Sequence, residues 1–558
     1  MTNSVSSTDT APGSLEQLAE VAERIAATTK KLEKAALLGT YLSSLNDADL
    51  SRAARYFAGH QFPSHDQRTT NVGGSIISNA ISLATGLSLE ELAPIYVRLG
   101  DAGETACEAV RSVQREQSAG VTLAETESLL TLLSETRGTR NKIELLVAVL
   151  NHATPLEAKY LIKLLAGDLR IGLRESLVED AVARAFDQPL AKVSRVNMLI
   201  GDIGETAVWS RRNDLDDVKM RLFHPIKFML ATPAADLADI ARTMPDDFFV
   251  EDKFDGIRAQ VHTKEGRVAI YSRTMDEITH RFPELIEPLR NLGVDAVIDG
   301  EIVPAHDDRI LPFSDLQKRL GRKNIADALL AEVPVILVAY DLFYARGEVL
   351  TEIPLQQRRE ILEEIIPAKG IVRASVAKRM KDVAALDQEF DDARARGNEG
   401  LMVKNPVSFY KPGRRGREWL KVKRAIATLD VVVTAVEVGH GKRRHLLSDY
   451  TFAVRRSESD PELLNIGKAY SGLTDAELLE MTEWFKNHTL QEFGHGRVHL
   501  VQPKIVIEVT FDRVQESKRH KSGYALRFPR ILRLRPDKAP EEADTLETVR
   551  KLVEANVN

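Results

Sequence analysis

The hydrophobic period of this chain changes near residue 205, and no single core satisfies both periods. Before that point apolar residues recur every three to four positions, as in Leu15, Leu18, Val21 and Ile25 and again through 141–150 and 156–166. That is the spacing of amphipathic helices and predicts an all-α domain over 13–205. From 220 to 424, short β-rich runs at 267–271, 296–303, 335–339 and 400–404 alternate with helical stretches at 354–366 and 383–396. This mixture predicts an α+β domain with largely antiparallel sheets. The remainder, 425–558, opens on a Val-rich run at 431–438, continues through 450–454 and 504–509, and holds one helical stretch at 475–486. Strands around one helix suit a small C-terminal OB-fold β-barrel. The expected architecture is therefore multidomain, with 206–219 as a linker and the Ser- and Thr-rich residues 1–12 as a disordered tail.

The single cysteine, Cys107, excludes a disulfide framework and a multi-cysteine zinc site, and points to a reducing compartment. Amid Glu104, Ala106 and Ala109 it reads as a helix-packing residue. No apolar stretch approaches the roughly 20 residues that span a bilayer, and Met1-Thr2-Asn3-Ser4 lacks the basic and apolar regions of a signal peptide. A cytoplasmic protein with no membrane partner is expected. The net charge of −6 argues at first against nucleic acid. Phosphates, however, are met by local clusters of Lys and Arg, whatever the sum. Arg414, Arg415, Arg417, Lys421, Lys423 and Arg424 form one cluster, Lys442 to Arg444 a second and Lys518 to Lys521 a third, which favours a polyanion.

Within the α+β part, Glu251-Asp252-Lys253-Phe254-Asp255-Gly256-Ile257-Arg258 puts a lysine after the apolar run Phe248-Phe249-Val250 and before a glycine turn. An amine attacks only when deprotonated, which burial or a nearby cation favours and neighbouring carboxylates oppose. A nucleophilic Lys253 therefore requires carboxylates engaged by a metal or by substrate hydroxyls. The other reading is a strand-end salt bridge in a tight turn, and this short pattern alone leaves both open.

Further motifs follow in order. They are Tyr271-Ser272-Arg273, the strand around Glu301, the aromatic strand Tyr340-Asp341-Leu342-Phe343, and Glu399-Gly400-Leu401-Met402-Val403-Lys404. After these come Arg415 with Trp419-Leu420-Lys421-Val422-Lys423, and a basic segment from Arg527 through Arg530 and Arg533 to Arg535, Asp537 and Lys538. Set and order resemble the nucleotidyltransferase motifs of the ATP-dependent DNA ligases of the cellular three-domain type. Upstream, Gly167-Asp168-Leu169-Arg170-Ile171-Gly172 and Pro225-Ile226-Lys227 resemble that family's helical DNA-binding domain and domain junction.

The resemblance implies a monomeric enzyme that uses ATP as AMP donor, with Mg²⁺, to seal nicked double-stranded DNA. Lys253 would attack the α-phosphate, expel pyrophosphate and carry AMP as a phosphoramide; AMP then passes to the DNA 5′-phosphate and is displaced by the 3′-hydroxyl. Glu301 and Glu399, hard oxygen ligands, would hold Mg²⁺, with Glu301 also beside the nucleotide. Arg258 and Arg273 would contact ribose or phosphate, Lys421 and Lys423 the α-phosphate, and Arg415 another part of the nucleotide. Glu251 would read the adenine edge and Tyr340 stack on the base, with Phe343 expected on the opposite face of that strand. Phe313 would wedge into the minor groove beside the nick, and Arg170 would meet DNA phosphate. Arg535, Asp537 and Lys538 would orient pyrophosphate in the first step. The alternatives are a solvated charge for any of these basic residues alone, a surface acid for Glu251, a buried loop phenylalanine for Phe313 and a helix C-cap for the 167–172 turn. For the whole chain they are an RNA ligase or other covalent nucleotidyltransferase, or a DNA-binding relic without catalysis. The NAD-dependent ligases carry a four-cysteine zinc module that one cysteine rules out.

Overall fold

The computed structural model describes residues 13–113, 120–306, 309–320, 326–422, 428–439, 443–494 and 496–555. The expected tail at 1–12 lies outside them. Two compact units divide between Val422 and Lys423.

Helices from Leu15–Ala27 to Ile203–Arg212 form the first part of the larger unit. The apolar stripe Leu15, Leu18, Val21 and Ile25 is buried in its core, and Cys107 packs within Ala102–Ser112. Helix starts are set locally: Ser88, Thr122 and Thr154 cap the N–H three residues on while Glu91, Glu125 and Glu157 reach back to the cap. The linker expected over 206–219 is not one. Helix Ile203–Arg212 runs through it, and Ala207, Leu215 and Val218 are buried in the helical core, so the helical period continues past 205 because these residues close that core. The chain then enters the α+β region tethered: Phe223 N–H donates to His262 Nδ1, and Ile226 exchanges two hydrogen bonds with the Gln260 side chain.

The α+β region is built on two sheets. The first runs Leu230–Pro233, Arg415–Val422, Gly400–Lys404, Phe248–Lys253, Ala377–Met380. The second runs Arg267–Tyr271, Ile257–Lys264, Ala296–His306, Val335–Ala345, Glu348–Val349, with two short strands alongside. Pairing is antiparallel except for Leu230–Pro233 on Arg415–Val422 and Val372–Ala374 on Val335–Ala345. Strand alternation gives the first sheet one apolar face, where Phe248, Val250, Leu401, Val403 and Leu420 pack with Ile240, Leu386 and Phe390 from flanking helices. Its other face carries polar side chains together with Met402 and Trp419.

The smaller unit is an OB-like β-domain in which the long strand Thr428–Val438 pairs with Leu447–Arg455, Val498–Val501 and Val506–Thr510. Tyr450, Phe452 and Ile466 pack inside against Phe485 of helix Asp475–Asn487. One helix was expected here, and there is a second, Leu546–Ala555, seated by Leu546 and Val549. Among the described residues no helix is long and apolar enough to cross a membrane.

Candidate active site

Lys253 ends a strand of the first sheet and Ile257 begins a strand of the second, so the octet is the corner between the sheets. Gly256 makes the corner possible. A Cβ there would lie 2.3 Å from the Ile302 carbonyl oxygen and 2.9 Å from Glu301 Cγ. Only glycine lets the backbone approach this closely, and the approach sets Glu301 near Lys253. Burial pushes the Glu301 carboxyl up to about 8, against the pull of Lys253 and Arg258 and helped by Asp299 and Glu399. Glu399 comes from the neighbouring strand: its N–H donates to the Lys253 carbonyl at 2.8 Å, and its Oε2 stands 2.5 Å from Lys253 Nζ. No group of three or more His, Cys, Asp or Glu side chains placed to hold a metal occurs among the described residues.

Glu251, two residues before Lys253, shares its face, whereas Asp252 turns the other way to Arg396 and Asn398. Register carries that face across the sheet: Glu251 pairs with Met402 and Met402 with Lys421, while Lys404 pairs with Trp419. Glu251 is no surface acid. It is 3% exposed and accepts from Lys404 Nζ at 2.9 Å and Ser375 Oγ at 2.9 Å. Lys404 is itself buried, with its ammonium 4.8 Å from the Tyr340 ring centre and 4.5 Å from that of Trp419. Neither Ser375 nor the role of Lys404 was read from the sequence, although Lys404 closed a quoted motif.

Other expected residues divide. Tyr340 is half-buried beside Lys404 and Arg258. Phe343 is fully buried, its ring 4.2 Å from that of Tyr410 in a cluster with Val297 and Trp419, and belongs to the core. Arg258 was expected on ribose or phosphate, but its guanidinium is committed within the protein. It forks onto Asp299 at 3.0 and 2.6 Å and donates to the Met229 carbonyl at 2.8 Å, leaving two of its N–H groups. Arg415 is exposed at the start of its strand opposite Leu230, and a bulge between there and Thr232 lets residues 415–421 take up only the length of 230–233. Arg273 is exposed in the turn after Arg267–Tyr271 and lines a cleft of about 960 Å³ between helical and α+β regions, with Lys227, Lys411 and Arg414. There Gln67 donates to the Met275 carbonyl and accepts from Glu277 N–H. Lys423, Arg424 and Lys442 lie outside the described residues.

Phe313 opens helix Phe313–Leu320 and packs half-buried against the core of the second sheet. Arg170 takes a left-handed φ of 56° between Gly167 and Gly172, and its side chain, 57% exposed, donates to the Gly100 carbonyl and pairs with Asp101. In the smaller unit the terminal motif is tied to a residue the motif reading did not include. Asp430 accepts both Arg535 Nη1 (2.8 and 2.9 Å) and Lys538 Nζ (2.6 Å), while Asp537 holds the far side of Arg535. The Arg535 hydrogen bond brings the Asp537 carboxyl down to about 2.

The site is a lysine presented at a sheet corner among carboxylates, aromatics and cations. Family models match three successive regions: DNA ligase N terminus over 14–183, ATP dependent DNA ligase domain over 228–423, and ATP dependent DNA ligase C terminal region over 443–538. A probable DNA ligase of Koribacter versatilis is 47% identical over 96% of this chain and 96% of its own length. A DNA ligase of Archaeoglobus fulgidus is 33% identical over 96% of this chain and 98% of its own length. The solved structure Pmar-Lig_PreS3 shares the fold, with a TM-score of 0.61 over 93% of this chain and 99% of that one at 17% identity. The chain belongs to the ATP-dependent DNA ligases. Its activity is the ATP-dependent sealing of nicks in DNA.

Proposed function

We propose that Lys253 is the residue that carries AMP, and that the pocket around it is built of Glu251, Tyr340, Glu301, Glu399 and Lys421. The observation that carries this reading is the corner geometry: Lys253 Nζ lies 2.5 Å from Glu399 Oε2 and beside the half-buried Glu301. In the first step the Nζ–phosphorus bond forms as the bond to pyrophosphate breaks. Nζ must lose its proton before it attacks, a loss that the Glu399 carboxylate opposes while it pairs with the ammonium. Lys421, in the same cross-sheet row as Glu251, would neutralise the α-phosphate oxygens, and Tyr340 would carry the base. Mg²⁺, when bound, would be held by Glu301 and Glu399 and would supply charge neutralisation at phosphate oxygens. Two carboxylates without a closed protein cage suit an ion that keeps most of its waters and shares substrate phosphates. Because every step is a displacement at phosphorus, alignment and electrostatics are the protein's main contribution.

The terminal motif supports a separate role. Arg535, Asp537, Lys538 and Asp430 would act on departing pyrophosphate and not on DNA. Sealing assays separate the two sets. Glu399→Ala should impair both self-adenylation and the sealing of a nick already carrying a 5′-adenylate, whereas Asp537→Ala should impair only the former. Equal losses on the preactivated nick would place the terminal motif in the shared phosphoryl-transfer machinery instead.

A further inference from the structure

The Glu251 carboxylate sits inside a buried network in which every side-chain partner donates. Lys404 contributes an ammonium, which has no acceptor. Ser375 contributes a hydroxyl, and Arg359 sets its direction: Arg359 Nη1 donates to Ser375 Oγ at 2.7 Å and Nη2 to the Ser375 carbonyl at 2.7 Å. With Oγ accepting from Arg359, its proton turns to Glu251 Oε2, 2.9 Å away. Glu251, Ser375, Arg359 and Lys404 are all under 5% exposed, so water does not substitute for any of them. The Glu251 oxygens thus present lone pairs and nothing else on the face that also carries Lys253.

We propose that Ser375, Arg359 and Lys404 are positioning residues that fix Glu251 as a hydrogen-bond acceptor and thereby set the preference for adenine over guanine. This rests on the reading of Glu251 as the base-reading residue. Adenine offers an exocyclic amine, a donor, at the ring position where guanine has a carbonyl oxygen. Against an acceptor-only carboxylate the amine gains a charge-assisted bond, while the carbonyl leaves two acceptors facing each other in a water-poor site.

Self-nucleotidylation of the full chain with ATP and with GTP, from pH 6 to pH 9, tests this. The ATP:GTP ratio of efficiencies is read within each preparation, so it does not depend on the folded fraction. Ser375→Ala and Lys404→Met should each lower the ratio by about tenfold or more, the scale of one buried hydrogen bond. The loss should fall mainly on the half-saturating ATP concentration. Ser375→Thr, which keeps the hydroxyl, should retain the ratio. A uniform loss of rate with both nucleotides at an unchanged ratio would reduce the network to a structural role and overturn the proposal. Glu251→Gln separates the levels. If it shifts the ratio while Ser375→Ala and Lys404→Met do not, only the network falls; if it leaves the ratio unchanged, the base-reading role falls and the network with it.

Discussion

The α+β region and the C-terminal domain each gather charges, and they hold them in different ways. In the first, Asp299 is fully buried and receives Arg258 and the Tyr410 hydroxyl, and Glu251 is enclosed by Lys404 and Ser375. In the second, Asp430 and Arg535 are each 13% exposed, while their outer partners Lys538 and Asp537 are 31% and 62% exposed. Burial strengthens each pairing and fixes its geometry, but leaves a large penalty if one partner is lost. A cluster with exposed outer partners holds those partners weakly, so phosphate oxygens can take their places at little cost. The buried set suits a rigid mould. The exposed set suits a transient task such as meeting a leaving group.

The largest effect should come from breaking a buried pair. Asp299→Ala would leave the Arg258 guanidinium enclosed without its carboxylate and should cost about 3–5 kcal/mol of stability, read by urea unfolding. A loss no larger than that of an exposed pair would erase the distinction between the two regions. On the exposed side, Lys538→Ala should change stability by at most about 1 kcal/mol, because Lys538 is 31% exposed, yet should slow self-adenylation clearly in a single-turnover assay. A melt shifted as far as that of Asp299→Ala would contradict this.

A subtler expectation sharpens the buried side. Burial raises the Glu301 carboxyl to about 8, so below that pH it is mostly protonated and a poor ligand for a cation. Self-adenylation at limiting Mg²⁺ should therefore rise with pH through about 8, and this limb should move to lower pH as Mg²⁺ is increased. Glu301→Gln should abolish the limb. A pH profile indifferent to Mg²⁺ would remove Glu301 from the ion's ligands.

Much of this was legible because chemistry that needs close backbone approach leaves short contiguous marks. Lys253, Gly256 and Glu301 are recognisable from local runs, and the corner that unites them follows from a glycine whose missing Cβ admits the Ile302 carbonyl. Partner choice over long separations was not legible. Glu251 meets Lys404 across 153 positions and Asp430 meets Arg535 across 105, and no local pattern encodes either pairing. Arg258 shows the limit of residue type. A guanidinium at that spacing serves a phosphate or a buried carboxylate equally well, and only the fold brings Asp299 to it. The helix at 546–555 was missed although Leu546, Val549 and Leu552 keep a helical period, because the surrounding strands suggested a barrel with one helix.

The central claim, that Lys253 is the nucleotide carrier, is tested most directly by incubating the protein with ATP labelled at the α-phosphate and mapping the bound label by mass spectrometry. The account predicts one AMP on Lys253, released by pyrophosphate, and no label on Lys253→Arg, whose guanidinium stays protonated and cannot attack. AMP on another lysine, or undiminished labelling of the variant, would contradict it.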